Sequence, residues 1–329
     1  MLLALAGASV GSVLWSSCRL RLVKTVGEKG PEVGQFDGPR HIAALPTGGV
    51  CLVDGLNQRV QVLDVDGECV RCIDGMKTPT GVAIEGDTLW WVESTGAHRV
   101  KRLTLSHRSM STAADAAVGR QVVDVQRPWA ARATAAGGLG FAQGELHDPS
   151  CLCVIGELLL VAESGNHRIS VFDKTSLEFV RHIAGADPDD EESEWYDGGS
   201  GEGELDQPCG LAVHEDEVFV CDTWNHRVSV FALDDGRYLR SFGQRGSAPG
   251  DMTYPVAIVV HEGLLYVTER TGKRLQVLTL QGEPVDDIAA PCGGWLYGCC
   301  VDATGNLWIS SSSSHKVHLL KTSQSDVGA

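Results

Sequence analysis

The chain has 329 residues, of which 43% are hydrophobic and 21% charged, a composition that excludes a disordered, fibrous or membrane-embedded protein. Its formal net charge of −16 argues against a phosphate-binding surface spread over the whole molecule. Cysteine occurs 11 times, an odd number, and mostly inside β-rich runs. Buried thiols in a reducing compartment are therefore expected and the localisation is read as cytoplasmic, with secretion the alternative.

Residues 1–18 form a leader. Met1–Trp15 is apolar and small like a signal-peptide core, but it lacks a basic start and is interrupted by Gly and Ser, so a disordered or signal-like segment is expected and no membrane span. Arg19–Val26 alternates in polarity and reads as a strand without a hairpin partner. A first repeat follows, with strands from His41, at Val50–Val53, at Arg59–Asp64 and at Glu68–Ile73. A second begins at Thr80 and is interrupted by an insert at 106–136 that contains Pro128 and Trp129. The third spans Cys151–Ile183 and is followed by an insert at 186–206 that carries ten acids and no base. The fourth ends at Phe242. The fifth runs from Val256 to about Ile288, with Pro284 tolerable only if its last strand is an edge. The sixth supplies Gly298–Asp302, Asn306–Ser310 and Lys316–Lys321, and a tail occupies 324–329.

The repeats share a hairpin in which an acid stands five residues before an arginine: Asp54/Arg59, Glu163/Arg168, Asp222/Arg227 and Glu269/Arg274. Two copies depart. Glu93 lies six before Arg99, and serines with Lys316 fill the sixth copy. Four copies are preceded by Gly, a polar residue, a large apolar residue, two residues and Pro, as in Gly203-Glu204-Leu205 to Pro208. Four antiparallel strands in a unit repeated about every forty residues form the blade of a β-propeller. The sixth unit is one strand short, and Arg19–Val26 is the missing piece. The expected fold is an all-β, six-bladed β-propeller of four-stranded antiparallel blades over 19–323, closed by the N-terminal strand pairing with the last blade. An acid and an arginine that recur in every blade are scaffold, because a catalytic group occurs once. Cys69 and Cys72 form a CxxC, read as structural because residues three apart in a regular strand face opposite sides.

The hairpins Asn166-His167-Arg168 and Asn225-His226-Arg227 resemble the NHL repeat, and the resemblance covers about Gly27–Lys321. It implies a six-bladed propeller that acts as a recognition module, in some members within ubiquitin ligases of the tripartite-motif type and in others on single-stranded RNA. No RING or B-box cluster of Cys and His is present in this sequence. The loop that leads into each blade and the loop between its second and third strands lie at the same end. That end collects Arg40, His41, His98, His167, Trp224, His226, Arg270 and Tyr297, a combination suited to a binding surface. The expected role is a non-enzymatic platform for a protein or peptide partner. That partner is expected to be basic if the acidic insert recruits it; RNA is the less favoured ligand, no membrane or cofactor is involved, and the protein is a monomer.

The alternative is an axial metal-dependent lyase or hydrolase. Propellers of similar shape include zinc-dependent amidating lyases and calcium-dependent lactonases. The third position after each lead-in proline or its counterpart reads His41, Gly81, Cys151, Gly210, Ala257 and Cys299. His41, Cys151 and Cys299 are weak metal candidates, since zinc needs three or four convergent ligands. Asp302 is the best acid for a calcium site at an inner-strand end. Small residues at the third position are also expected simply from crowding of the inner strands.

Overall fold

The computed structural model describes residues 20–104, 122–124, 140–185, 198–291 and 293–322. The leader, the tail, Pro128 and Trp129, and residues 186–197 of the acidic insert lie outside them. Among the described residues no helix is long and apolar enough to cross a membrane.

Six four-stranded antiparallel sheets make up the fold. The chain starts with β1 (Leu20–Val26). Blade 1 is β2 (Pro39–Ala44), β3 (Val50–Asp54), β4 (Arg59–Leu63) and β5 (Cys69–Ile73). Blade 2 is β6 (Pro79–Glu85), β7 (Thr88–Glu93), β8 (Arg99–Thr104) and β9 (Val122–Asp124). Blade 3 is β10 (Pro149–Ile155), β11 (Leu158–Glu163), β12 (Arg168–Asp173) and β13 (Phe179–Ile183). Blade 4 is β14 (Pro208–His214), β15 (Glu217–Asp222), β16 (Arg227–Ala232) and β17 (Tyr238–Phe242). Blade 5 is β18 (Pro255–His261), β19 (Leu264–Glu269), β20 (Arg274–Thr279) and β21 (Pro284–Ala289). Blade 6 is β22 (Leu296–Val301), β23 (Leu307–Ser311) and β24 (Lys316–Thr322), completed by β1 in the order β1-β24-β23-β22.

The first strand of every blade touches the first strands of both neighbours, so β2, β6, β10, β14, β18 and β22 form a closed inner ring. β1 clasps that ring by pairing antiparallel with β24, from Leu20 opposite Thr322 to Val26 opposite Val317. Thr25 Oγ1 and His318 Nδ1 meet at 3.0 Å across the clasp. Closure by the chain's first strand was expected from the strand count, and its reason is physical: an unclosed sixth blade exposes an unpaired edge and an apolar face.

The core lies between blades. One cluster joins Val53 and Val62 of blade 1 to Val82 and Trp91 of blade 2. Another joins the wholly buried Trp308 of blade 6 to Phe36 and Leu52 of blade 1. Each fully buried aliphatic or aromatic side chain contributes about 1.5–3 kcal/mol relative to exposure. The apolar residue of the lead-in signature is one such plug. Phe36, Leu146, Leu205 and Met252 are all buried, and Met76 fills the same place in blade 2, where the sequence signature is missing.

Two local features depart from expectation. The third and fourth strands of blades 1, 3, 4 and 5 pair through a bulge, as where Val62 faces Arg71 but Leu63 faces Cys69. An extra residue flips the alternation, so positions three apart share a side. Cys69 and Cys72 are therefore adjacent, with Sγ atoms 3.8 Å apart, instead of on opposite faces. Phe179 and His182 of blade 3 stack in the same way at 4.5 Å, and in blade 4 Tyr238 donates its hydroxyl to Ser241 at 3.0 Å. The second departure is in blade 6. Leu296 pairs with Ser311 as Pro39 pairs with Asp54, so the third position there is Gly298 and not Cys299.

Candidate functional site

The repeated acid and arginine build the end of the molecule at which the hairpins lie. In blade 3, Glu163 accepts hydrogen bonds from Arg168 Nε at 3.1 Å, Asn166 Nδ2 at 2.6 Å and the His147 backbone N–H at 2.9 Å, and from the Ser170 hydroxyl. The two outer nitrogens of Arg168 reach the carbonyls of Phe141, Ala142 and Glu145. Asp54/Arg59, Asp222/Arg227 and Glu269/Arg274 repeat the arrangement on their own lead-in loops. Each arginine thus ties a loop some twenty-odd residues upstream to the hairpin that carries it. The acid of each pair is fully buried. Burial raises the carboxyls of Glu163, Asp222 and Glu269, and their arginines and donated hydrogen bonds oppose that.

The hairpin histidines have a second repeated task. His98, His167, His226 and His315 accept through Nδ1 the backbone N–H of the residue just before the next blade's first strand or its proline: Asp148, Gln207, Tyr254 and Gly38, at 3.0–3.2 Å. All four histidines adopt left-handed backbone, φ between 42° and 57°, which closes the turn. An Nδ1 that accepts leaves the proton on Nε2. Burial holds His226 and His98 below the usual imidazole range. So His98, His167 and His226, expected among surface-binding groups, each spend one ring nitrogen on joining neighbouring blades.

His41 lies on the axis. Its Nδ1 is 3.0 Å from the Val82 carbonyl and its Nε2 is 3.1 Å from Cys151 Sγ. Burial lowers its pKa to about 4 and raises the Cys151 thiol. Both shifts favour the neutral imidazole and thiol, the opposite of the shifts that poise a reactive thiolate–imidazolium pair. Glycines at the neighbouring third positions let the strands close around it. A Cβ on Gly81 would stand 2.8 Å from Cys151 Cα, one on Gly210 2.6 Å from Ala257 Cα, and one on Gly298 2.6 Å from the Arg40 carbonyl. Beyond His41, towards the end opposite the hairpins, a cavity of about 200 Å³ opens among Ala43, Ile84, Val154 and Val259. Cys299 lines it, but its Sγ faces the Tyr266 carbonyl at 3.6 Å, so the weak metal candidates His41, Cys151 and Cys299 are not brought together as one ligand set. Among the described residues no three His, Cys, Asp or Glu side chains gather as metal ligands. Asp302 accepts from Thr304, Asn306 and Trp308, and those bonds fix a turn.

The remaining expected residues converge on one arc of the hairpin end. Trp224 is 52% exposed and meets Tyr254 edge-on at 6.2 Å. Arg270, on the hairpin of blade 5, lies 5.2 Å from the Trp295 ring centre. Arg40 lies 6.0 Å from that of Tyr297. Trp295 is 41% exposed and was missed as a site residue, because blade 6 lacks the proline signature that locates the lead-in loop.

The fold and this end of it define a class, the six-bladed β-propeller whose hairpins repeat one acid–arginine geometry. Residues 205–231 match the family model of the NHL repeat, and the chain that carries this repeat is a six-bladed β-propeller. An 87-residue stretch, 26% of this chain, is 37% identical to the RING finger protein nhl-1 of Caenorhabditis elegans and spans 8% of that protein. Among solved structures, a gluconolactonase from Xanthomonas campestris superposes with a TM-score of 0.62 at 16% identity, over 88% of this chain and 87% of that one. A virginiamycin B lyase from Staphylococcus aureus gives 0.54 at 14%, over 89% and 81%. A chain of a nidogen/laminin complex gives 0.56 at 16%, over 86% and 89%. At these identities the likeness is one of fold.

Proposed function

We propose that this propeller is a non-enzymatic interaction platform that binds a protein or peptide partner on its hairpin end. The observation that carries the reading is the group of exposed Trp224, Arg270 and Trp295 with the half-buried Tyr254 on the hairpin end. Aromatic and arginine side chains of this kind supply most of the energy in protein interfaces. The neutral His41–Cys151 contact on the axis supports a binding role over an axial lyase or hydrolase, the alternative that the lactonase and lyase likenesses would suggest if fold implied function. The similarity to a RING finger protein supports the finer reading, that the platform serves as a recognition module in an assembly of the ubiquitin-ligase type. The test is panning of a random dodecapeptide phage library on the purified protein. Peptides that enrich and lose at least tenfold in affinity on Trp224→Ala or Trp295→Ala support the platform. Stoichiometric zinc or calcium in the purified protein, with hydrolysis of a lactone or scission of a peptidyl substrate, would replace it with the enzyme.

A further inference from the structure

Departures from a repeat are informative because the repeat itself states what the scaffold needs. One such position immediately follows the hairpin acid. It reads Gly55, Ser94, Ser164, Thr223 and Ser312 in five blades. These are small, and several tie loops together: Ser164 donates to the Asp148 carbonyl at 2.8 Å, Thr223 to the Pro255 carbonyl at 2.8 Å, and Ser94 to the Asp148 carboxylate at 2.9 Å. In blade 5 the same position is Arg270. A second position follows the lead-in proline. Thr80 and Ser150 there donate to the carbonyls of Pro149 and Pro208 in the next blade, at 2.6 and 2.9 Å. In blades 1 and 6 that position is Arg40 and Tyr297.

These substitutions for small staples are not scattered. Trp295 and Tyr297 lead into blade 6, Arg270 flanks them from blade 5 and Arg40 from blade 1. Both guanidiniums act electrostatically on Tyr297, and both also on Cys209, which belongs to blade 4 and stands across the ring. Both guanidiniums thus lie within electrostatic reach of the same two side chains, which stand at the start of inner strands β22 and β14. Among the described residues neither Arg40 nor Arg270 is ion-paired, whereas all four arginines of the acid–arginine hairpins Arg59, Arg168, Arg227 and Arg274 are. Of the lead-in acids, Asp148 and Asp206 sit in blades 3 and 4 beside His98 and His167, and Asp37, on the loop that leads to Arg40, faces His315 of blade 6 at 3.2 Å. In a chain of net charge −16, two guanidiniums without ion pairs among the described residues, each over one ring of the Trp295–Tyr297 lead-in, form a local site for negative charge.

We infer that the mouth of the axis, between Arg40 and Arg270, holds an acidic group of a partner protein, an Asp or Glu side chain or a chain-terminal carboxylate, while Trp224 and Trp295 pack against its apolar neighbours. The inference rests on the platform reading and gives the partner's chemistry. A planar guanidinium matches a carboxylate through paired hydrogen bonds, and two of them over the rings of one lead-in accept a single acid or two adjacent ones. The acidic stretch 187–206 favours a basic partner when overall charge is counted, but the described arc nearest the axis selects the opposite sign.

The experiment uses the full chain. Peptides enriched from the random dodecapeptide library are sequenced, and the best is synthesised and titrated calorimetrically against the wild type, Arg40→Gln, Arg270→Gln and the two Arg→Lys variants. Thermal melts of all five proteins should coincide, because among the described residues neither guanidinium has an ion-pair partner to lose. The expected result is that enriched peptides carry Asp or Glu, that each Gln variant weakens binding at least tenfold, and that the Lys variants retain most of it. Replacement of the peptide's acid by its amide should weaken wild-type binding by a similar factor and barely change the Gln variants. Peptides without carboxylates, or affinities within twofold across the variants, would overturn the inference and leave the platform standing. No enrichment at all would overturn both. Binding of a twenty-nucleotide oligouridine that is lost in both Gln variants, with no acidic peptide enriched, would assign the arginine pair to nucleic acid and overturn the inference as well.

Discussion

Arg168 and Glu163 show what a single repeated residue pair does in this fold. Neither side chain is solvated: Glu163 also accepts from Asn166 and Ser170 of its own blade, and the remaining polar contacts of the pair land on the loop that leads into blade 3. Replacing Arg168 with Ala strands a buried carboxylate and releases that loop, which should cost about 3–5 kcal/mol in urea unfolding. Arg168→Lys should recover only part of it, since an ammonium cannot span three carbonyls and a carboxylate at once. The spacing of five residues made this pair legible in the sequence. Its partners were not legible, because the loop carbonyls lie more than twenty residues away and carry no side-chain signature. The CxxC was misread for a similar reason. A bulge leaves no mark in the residue types, yet it brings Cys69 and Cys72 together, and the contact with Cys72 lowers the Cys69 pKa to about 7. Burial raises Cys51, Cys151, Cys153 and Cys221 instead. At pH 7.5 iodoacetamide should therefore label Cys69 at least tenfold faster than those four, as peptide mass mapping would show.

At the scale of the element, β1 decides whether the ring is closed. It contributes the outer strand of blade 6, covers Val317 and Leu319, and reaches the buried His318 through Thr25. Deletion of residues 1–26 should abolish the cooperative thermal transition, and a melt superimposable on that of the intact chain would contradict the clasp. The same element introduces a pH dependence. Burial, with Lys316 nearby, lowers His318 from 6.5 to about 4 in the folded protein. Between those values the unfolded chain takes up a proton that the folded chain refuses, so stability falls as pH falls through that window. By pH 5 the loss from His318 amounts to about 2 kcal/mol. His41, lowered to about 4 by burial, acts in the same direction. Urea unfolding at pH 7 and pH 5 should show this slope, and His318→Asn should flatten it. The pairing of β1 with β24 followed from counting strands, whereas the titration of His318 depends on which face of β24 the clasp covers.

For the molecule as a whole, the inserts and the scaffold are separable. The acidic insert leaves blade 3 after Ile183 and returns at Pro208, both at the hairpin end, and the arginine clamp of Arg227 holds only its last turn, at Ser200, Gly201 and Glu204. Replacement of Asp187–Asp197 with a short Gly/Ser linker should thus leave the melting temperature within a few degrees and shift the net charge from −16 to −9, as native electrophoresis would show. Repetition in the sequence determined the number of blades, the strand order, the scaffold role of the acid–arginine pairs and the end of the molecule that gathers variable side chains. Each of these depends on local pattern and period, which the chain carries along its length. The tertiary structure alone decided that four hairpin histidines face the neighbouring blade, that His41 and Cys151 meet at the axis with Cys299 turned aside, and that Arg40 and Arg270 from blades 1 and 5 each lie over an aromatic ring of the blade 6 lead-in. The reason is distance along the chain: Arg40 reaches the lead-in of blade 6 only when the ring closes, and the closing contact is made by strands far apart in the sequence.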